Sequence, residues 1–330
     1  MIVHQKRLRL TVVALAAVWT LAASATRLSA ESPFESVSNL RLEQIPFDGR
    51  QAFAYLQQLC SIGPRPSGSA GMVAQQKLIA EHFHRLGGAV SVQEFGAHSP
   101  VNDSVVPMAN IIVQWHPDRA ERILLCAHYD TKPFPDRDKQ NPDGILLGAD
   151  DGASGVAVLM ELGKWMPRLE SKFGVDFALF DGSQYVFKTP ALKTPGDPRF
   201  LGAEYFARAY VSGQQPFKYR EAVLLDMVGG EYLQVYQESD SMGWRDTRPV
   251  VEEIWRTAYK TGVREFIPAR KHYVADDHVR LHDIAKIPSC AIVDIDYPYW
   301  RTQQDTPAHC SPLALAKVGW VMLEWLRQAK

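Results

Sequence analysis

Long apolar runs are missing from residue 31 onward, and that absence excludes a bundle of membrane-spanning helices. Net charge is almost missing too, at -1 over 330 residues, so no global field draws the chain to nucleic acid or to an anionic membrane. Cysteine is scarce. The four present are Cys60, Cys126, Cys290 and Cys310, with no Cys-x-x-Cys pair to suggest a structural zinc site. In an oxidising compartment they allow three pairings, which the sequence does not choose between. Cys126 and Cys290 fall in apolar, strand-like runs and read as inert core thiols. Internal repeats and low-complexity tracts are absent as well.

What is present begins with Lys6, Arg7 and Arg9, followed by an apolar run from Leu10 to Ala23 and small residues through Ala30. This is the pattern of a secretory signal peptide, residues 1–30, with cleavage after Ala25 or Ala30. An uncleaved anchor helix is the alternative, but the run is short against the ~20 residues a span needs. The expectation is a secreted or periplasmic protein with no integral membrane domain after processing. Residues 31–46 read as an extended arm, and 47–330 as one domain whose 46% hydrophobic composition can supply a large core.

Apolar residues recur at helical spacing from Gly49 to Cys60, with Ala52, Phe53, Leu56 and Leu59 on one stripe. The Gly- and Pro-rich stretch 63–71 then breaks the pattern, and a turn role for Arg65 outweighs a catalytic one. Helices are expected over 72–86, 152–166, 201–210, 250–261 and 312–327, with strands over 89–95, 108–114, 122–127, 176–180, 221–226, 232–236 and 290–293. Such alternation predicts an α/β fold with a central mixed, mainly parallel sheet flanked by helices.

The chain is organised around Gly148-Ala149-Asp150-Asp151-Gly152-Ala153-Ser154-Gly155, where small residues surround two carboxylates as a loop enters a helix. Before it, the apolar run 122–127 ends in His128-Tyr129-Asp130. Strand, loop, carboxylate and helix in this order place chemistry at the carboxyl ends of the strands.

Six segments taken in order carry a resemblance: His128 to Lys132, Gly148 to Gly155, Phe180-Asp181-Gly182, Leu225 to Gly229, Asp276-Asp277-His278, and Trp300. Together they resemble the glutaminyl-peptide cyclotransferases, relatives of the zinc aminopeptidases, over about Gly63 to Pro312. The resemblance implies a zinc-exopeptidase-like (phosphorylase/hydrolase-like) fold, conversion of N-terminal glutamine to pyroglutamate, and peptide or protein N-termini as partners. It implies a zinc held by an aspartate, a glutamate and a histidine beside a second glutamate acting as base.

At those positions the chain has Asp151, Gln184, Arg301 and, for the base, Ser183. Arginine has no lone pair to give and stays protonated, Gln184 lacks the carboxylate charge, and a serine hydroxyl is no base near neutral pH. The expectation is therefore a homologue without the family zinc or general base, with no cofactor predicted, in which Arg301 acts as a fixed internal cation paired with Asp151. Zinc returns as the cofactor if the site is retained by other means. His128, Asp151 and Asp226 could hold the ion that two-metal aminopeptidase relatives use, with Asp130 orienting His128. An active cyclase with altered ligands and an aminopeptidase using that ion are thus the alternatives. Asp226 and Asp276 resemble members of the family's proton network and read here as structural partners. Trp300 and Tyr299, with Tyr297 and Pro298, are expected to rim a small-ligand pocket, and His278, His282 and His309 are possible replacement ligands.

Overall fold

The computed structural model describes residues 38–98, 104–185, 199–213 and 215–329. The expected signal peptide and the first residues of the expected arm lie outside these. What is described of the arm is docked: Leu42–Gln44 form one 3-10 turn, Ile45 is buried, and Ser38 donates to the Glu265 carboxylate. Among the described residues no helix is long and apolar enough to cross a membrane.

The domain is built on a six-stranded sheet. In chain order the strands are β1 (Ala89–His98), β2 (Val105–Trp115), β3 (Glu121–His128), β4 (Gly174–Phe180), β5 (Lys218–Asp226) and β8 (Ser289–Val293), with β6 (Val235–Glu238) and β7 (Phe266–Lys271) forming a separate parallel pair. The spatial order is β1-β2-β4-β3-β5-β8. β4, β3, β5 and β8 run parallel, and β2 and β1 join antiparallel at one edge. The expected mixed, mainly parallel sheet is what forms.

Helices cover both faces because both faces are apolar: β4 is buried along its whole length, as parallel strands between helical layers must be. One core packs α1 (Gly49–Ser61), α2 (Ala70–Arg85), α3 (Ser154–Leu162), α6 (Arg248–Thr261) and α8 (Pro312–Gln328), and the other packs α4 (Leu201–Ser212) and α7 (Asp277–Ala285). The short α5 (Ser239–Gly243), together with β7 and α7, was not expected, since these segments are brief and polar. The helix expected over 152–166 is shorter, because Gly163 ends α3 and the chain turns into a 3-10 segment at Met166–Arg168.

Two local features set the geometry at the carboxyl ends of the strands. Between Arg122 and Ile123 the β3–β5 register shifts, so that Arg122 faces Tyr219 and Ile123 faces Glu221. Beyond the bulge Cys126 faces Leu224, and continuing that register by two residues sets His128 against Asp226. Without the extra residue the imidazole would meet Leu225, because a one-residue slip exchanges the two faces of a strand.

The second feature is the start of α3. A Cβ added to Gly155 would lie 2.2 Å from the Leu225 carbonyl oxygen, so only glycine lets the helix sit directly on the end of β5. Gly155→Ala would be favourable by helix propensity alone. Here it is expected instead to cost about 1 to 3 kcal/mol, as overpacked core sites do. Urea unfolding measures this, and unchanged or raised stability would contradict the close approach.

Glu221, beside the bulge, is buried, and burial together with the Glu253 charge raises its carboxyl to about 7 despite Arg220. A raised carboxyl keeps its proton in the folded state while the unfolded chain has lost it. Its contribution to stability therefore falls as pH rises from about 4.5 to about 7. Glu221→Gln is expected to match the parent near pH 4.5 and to exceed it at pH 8 by on the order of 2 kcal/mol. Paired urea melts at the two pH values test this, and an equal difference at both would contradict it.

Candidate functional site

His128 ends β3 and Asp226 ends the neighbouring β5, while Asp151 arrives from the loop before α3. All three are buried. His128 Nε2 lies 3.1 Å from Asp151 Oδ1 and 3.2 Å from Asp226 Oδ1. Its Nδ1 is 3.1 Å from the Asp130 carbonyl oxygen and 3.5 Å from Asp130 Oδ1, so residue 130 orients the ring mainly through its backbone. Burial works against an imidazolium, but Asp226, Asp130 and Asp151 outweigh it and hold His128 well above its ordinary value. The same pairing, with Arg301, keeps Asp151 ionised below the usual carboxylate range in spite of burial.

The loop that presents Asp151 is tied down from both sides. Asp305 accepts the backbone N–H groups of Asp150 and Asp151, at 2.7 and 3.2 Å, and is itself met by the Tyr297 hydroxyl. Arg65, fully buried, donates to the carbonyls of Gly63 and Gly148. That is the turn-stabilising role expected of it.

The segment after β4 is positioned by Asp130, whose carboxylate accepts the backbone N–H groups of Ser183 and Gln184, at 3.2 and 2.8 Å. The Ser183 hydroxyl donates to Asp277, whose carboxyl is pushed well up by burial and by Asp276. Gln184 Nε2 donates to Asp151 Oδ1 at 3.0 Å, and its Oε1 accepts from Arg301 Nη2 at 3.2 Å. Arg301 Nε stands 3.9 Å from Asp151 Oδ2, the oxygen that accepts the Trp300 indole N–H at 2.8 Å. Arg301 adopts φ 59°, a left-handed conformation uncommon for a residue with a side chain.

The remaining expected residues divide. Trp300 joins the site, whereas Tyr299 stacks on His309 at 3.8 Å and lines a separate cleft with Tyr232, Tyr297 and Pro298. The single aromatic rim expected of Trp300 and Tyr299 is thus split, since consecutive loop side chains point different ways. Asp276 caps α7 by accepting the Asp277 N–H and also hydrogen bonds Asp226. Of the three expected replacement histidines, all among the described residues, none pairs with Asp151: His278 is buried 3.5 Å from Glu238, His282 stacks on Trp244 and His309 on Tyr299. The four cysteines are unpaired. Cys126 faces Leu224 and Cys290 faces the adjacent Val223, which puts those two thiols on opposite sides of the sheet.

Sequence reasoning missed Asp305 and Arg137, and it gave no role to Asp277 or Lys132 although both fall in the segments that carry the resemblance. The loop bearing Arg137 was legible only as polar. Its contact with Trp300, where Arg137 Cζ lies 3.7 Å from the ring centroid, joins residues far apart in sequence.

The donors at the two candidate metal positions differ in kind. His128, Asp151 and Asp226 offer one imidazole and two carboxylates with ligand atoms all within 4.8 Å, a set that suits a divalent cation. Asp151, Gln184 and Arg301 offer one carboxylate, one amide oxygen already turned toward a guanidinium, and no third lone pair. That set does not fit zinc.

The mixed, mainly parallel sheet with helices on both faces is a zinc-exopeptidase-like fold. The model of peptidase family M28 matches residues 110–326, and the chain belongs to that family. Within it, the chain is similar to glutaminyl cyclases. The crystal structure of Fimbriiglobus ruber glutaminyl cyclase is 37% identical with a TM-score of 0.82, over 89% of this chain and 98% of that one. The Bacteroides thetaiotaomicron glutaminyl cyclase bound to N-acetylhistamine is 29% identical with a TM-score of 0.80, over 87% and 100%. The glutaminyl-peptide cyclotransferase of Drosophila melanogaster is 23% identical over 264 residues, 73% of this chain and 70% of that protein.

Asp305→Ala would leave two buried amide N–H groups without an acceptor, with an expected cost of about 2 to 4 kcal/mol. Amide exchange across Gly148 to Gly155 is expected to accelerate. Unchanged exchange in that loop would show that Asp305 does not hold it.

Proposed function

We propose that this chain is an exported glutaminyl-cyclase homologue that receives peptide N-termini without the family's zinc-dependent cyclisation. The observation that carries the reading is the chain of contacts from Arg301 through Gln184 to Asp151. A guanidinium and an amide there supply the positive charge and the donors that the buried carboxylate needs. Ser183, at the position where the resemblance implies the base, donates its hydroxyl to Asp277 and is itself no base near neutral pH.

A second reading is an active metalloenzyme, and the grouping of His128, Asp151 and Asp226 favours it. Zinc bound there would supply Lewis-acid polarisation of a carbonyl. The chain's own part would then be to orient His128 through Asp130 and to fix Asp151 through Asp305.

Turnover separates the two. Mature protein incubated with an N-terminal glutamine peptide is expected to form no pyroglutamate above the uncatalysed rate, with or without added zinc. Ser183→Glu, Gln184→Glu and Arg301→His made together are expected to restore chelator-sensitive cyclisation. Cyclisation by the unmodified chain that a chelator abolishes would overturn the proposal, and release of free N-terminal amino acids would favour the peptidase form of the second reading.

A further inference from the structure

Two arginines share one indole at the edge of the site, on the loop side where Lys132 also lies. Arg137 and Arg301 both lie over the Trp300 ring, with Cζ atoms 3.7 and 4.5 Å from its centroid. Lys132, buried, is paired with Asp136. The arrangement is held by backbone: the Arg137 N–H donates to the Arg301 carbonyl at 3.1 Å, and the Gln303 N–H donates to Asp138 Oδ2 at 3.1 Å. The loop after β3 and the loop after β8 are therefore pinned together where their guanidinium groups meet.

These charges are not fully compensated. Among the described residues Arg137 makes no ion pair, and Arg301 Nε is buried without a hydrogen-bond acceptor. Burial first, and then the Arg301 charge, hold both Lys132 and Arg137 below their ordinary values. Like charges sharing one indole repel, and an anion that meets both guanidinium groups would relieve the repulsion. Arg137, over the indole, makes no side-chain hydrogen bond among the described residues, so its in-plane N–H donors form a fork that matches a carboxylate, whereas Arg301 already gives Nη2 to Gln184 and offers its remaining N–H groups and its charge.

We propose that Arg137 and Arg301, both over Trp300, bind a carboxylate carried by the acidic first residue of a peptide. The inference rests on the reading that the pocket receives peptide N-termini without zinc. It turns the specificity of the pocket from the neutral amide of glutamine to the charged side chain of glutamate.

The test is calorimetric titration of the full mature protein with a tripeptide beginning in glutamate and with its glutamine counterpart. The glutamate peptide is expected to bind tighter by about tenfold or more, as charge-assisted pairs do, and to weaken with added salt. Arg137→Gln, at an exposed side chain whose backbone bond to Arg301 is kept, is expected to abolish the preference. Arg301→Lys, which keeps the charge and loses the fork, is expected to reduce it.

Equal affinities, a preference for glutamine, no binding of either peptide, or a preference untouched by Arg137→Gln would overturn the inference. Zinc content measured on the same sample keeps the two ideas apart. Metal-free protein with no glutamate preference refutes this inference alone, whereas zinc-loaded protein that cyclises the glutamine peptide refutes the functional reading beneath it.

Discussion

A carboxylate buried at the carboxyl end of a sheet is the constraint around which this site is arranged. Asp151 is 2% exposed and remains ionised, so it must find positive charge and donors close by or cost several kcal/mol. In a metalloenzyme a dication meets that demand. Here the His128 imidazole, the Gln184 amide and the Trp300 indole meet it directly, with the Arg301 guanidinium 3.9 Å away. Ser183, Gln184 and Arg301, at the positions where the resemblance implies two glutamates and a histidine, are consistent with one another in charge, since a neutral pair and one fixed cation suit a buried Asp151.

The fold supplies the rest by backbone means. A bulge in β5 sets the register that brings Asp226 to His128, and a helix start that admits only glycine brings Asp151 down onto both. Two buried side chains, Asp305 and Arg65, hold the loop between them through main-chain groups. None of these devices depends on what occupies the pocket. A scaffold of this kind can therefore keep its shape while its chemistry changes.

Most of this architecture was legible in the sequence because apolar periodicity reports burial directly. The continuous apolar runs at 122–127 and 176–180 became central parallel strands, and the small-residue stretch around Asp151 became the site loop. The contact of Arg301 with Asp151 was legible as a consequence of charge, and the part of Gln184 as a relay between them was not, since it depends on side-chain rotamers. The bulge at Arg220 of β5, opposite Arg122 and Ile123, leaves no trace in a pattern of alternating residues. Asp305 and Arg137 escaped notice for another reason: their partners lie more than a hundred residues away, and only the folded topology joins them.

If zinc is excluded at the family position by Arg301, that exclusion must hold even when zinc is abundant. The most direct measurement is anomalous diffraction at the zinc absorption edge from crystals soaked in excess zinc. The account predicts no anomalous peak between Asp151, Gln184 and Arg301, with the guanidinium and amide remaining where they are. A full-occupancy peak there, with Arg301 displaced, would contradict it.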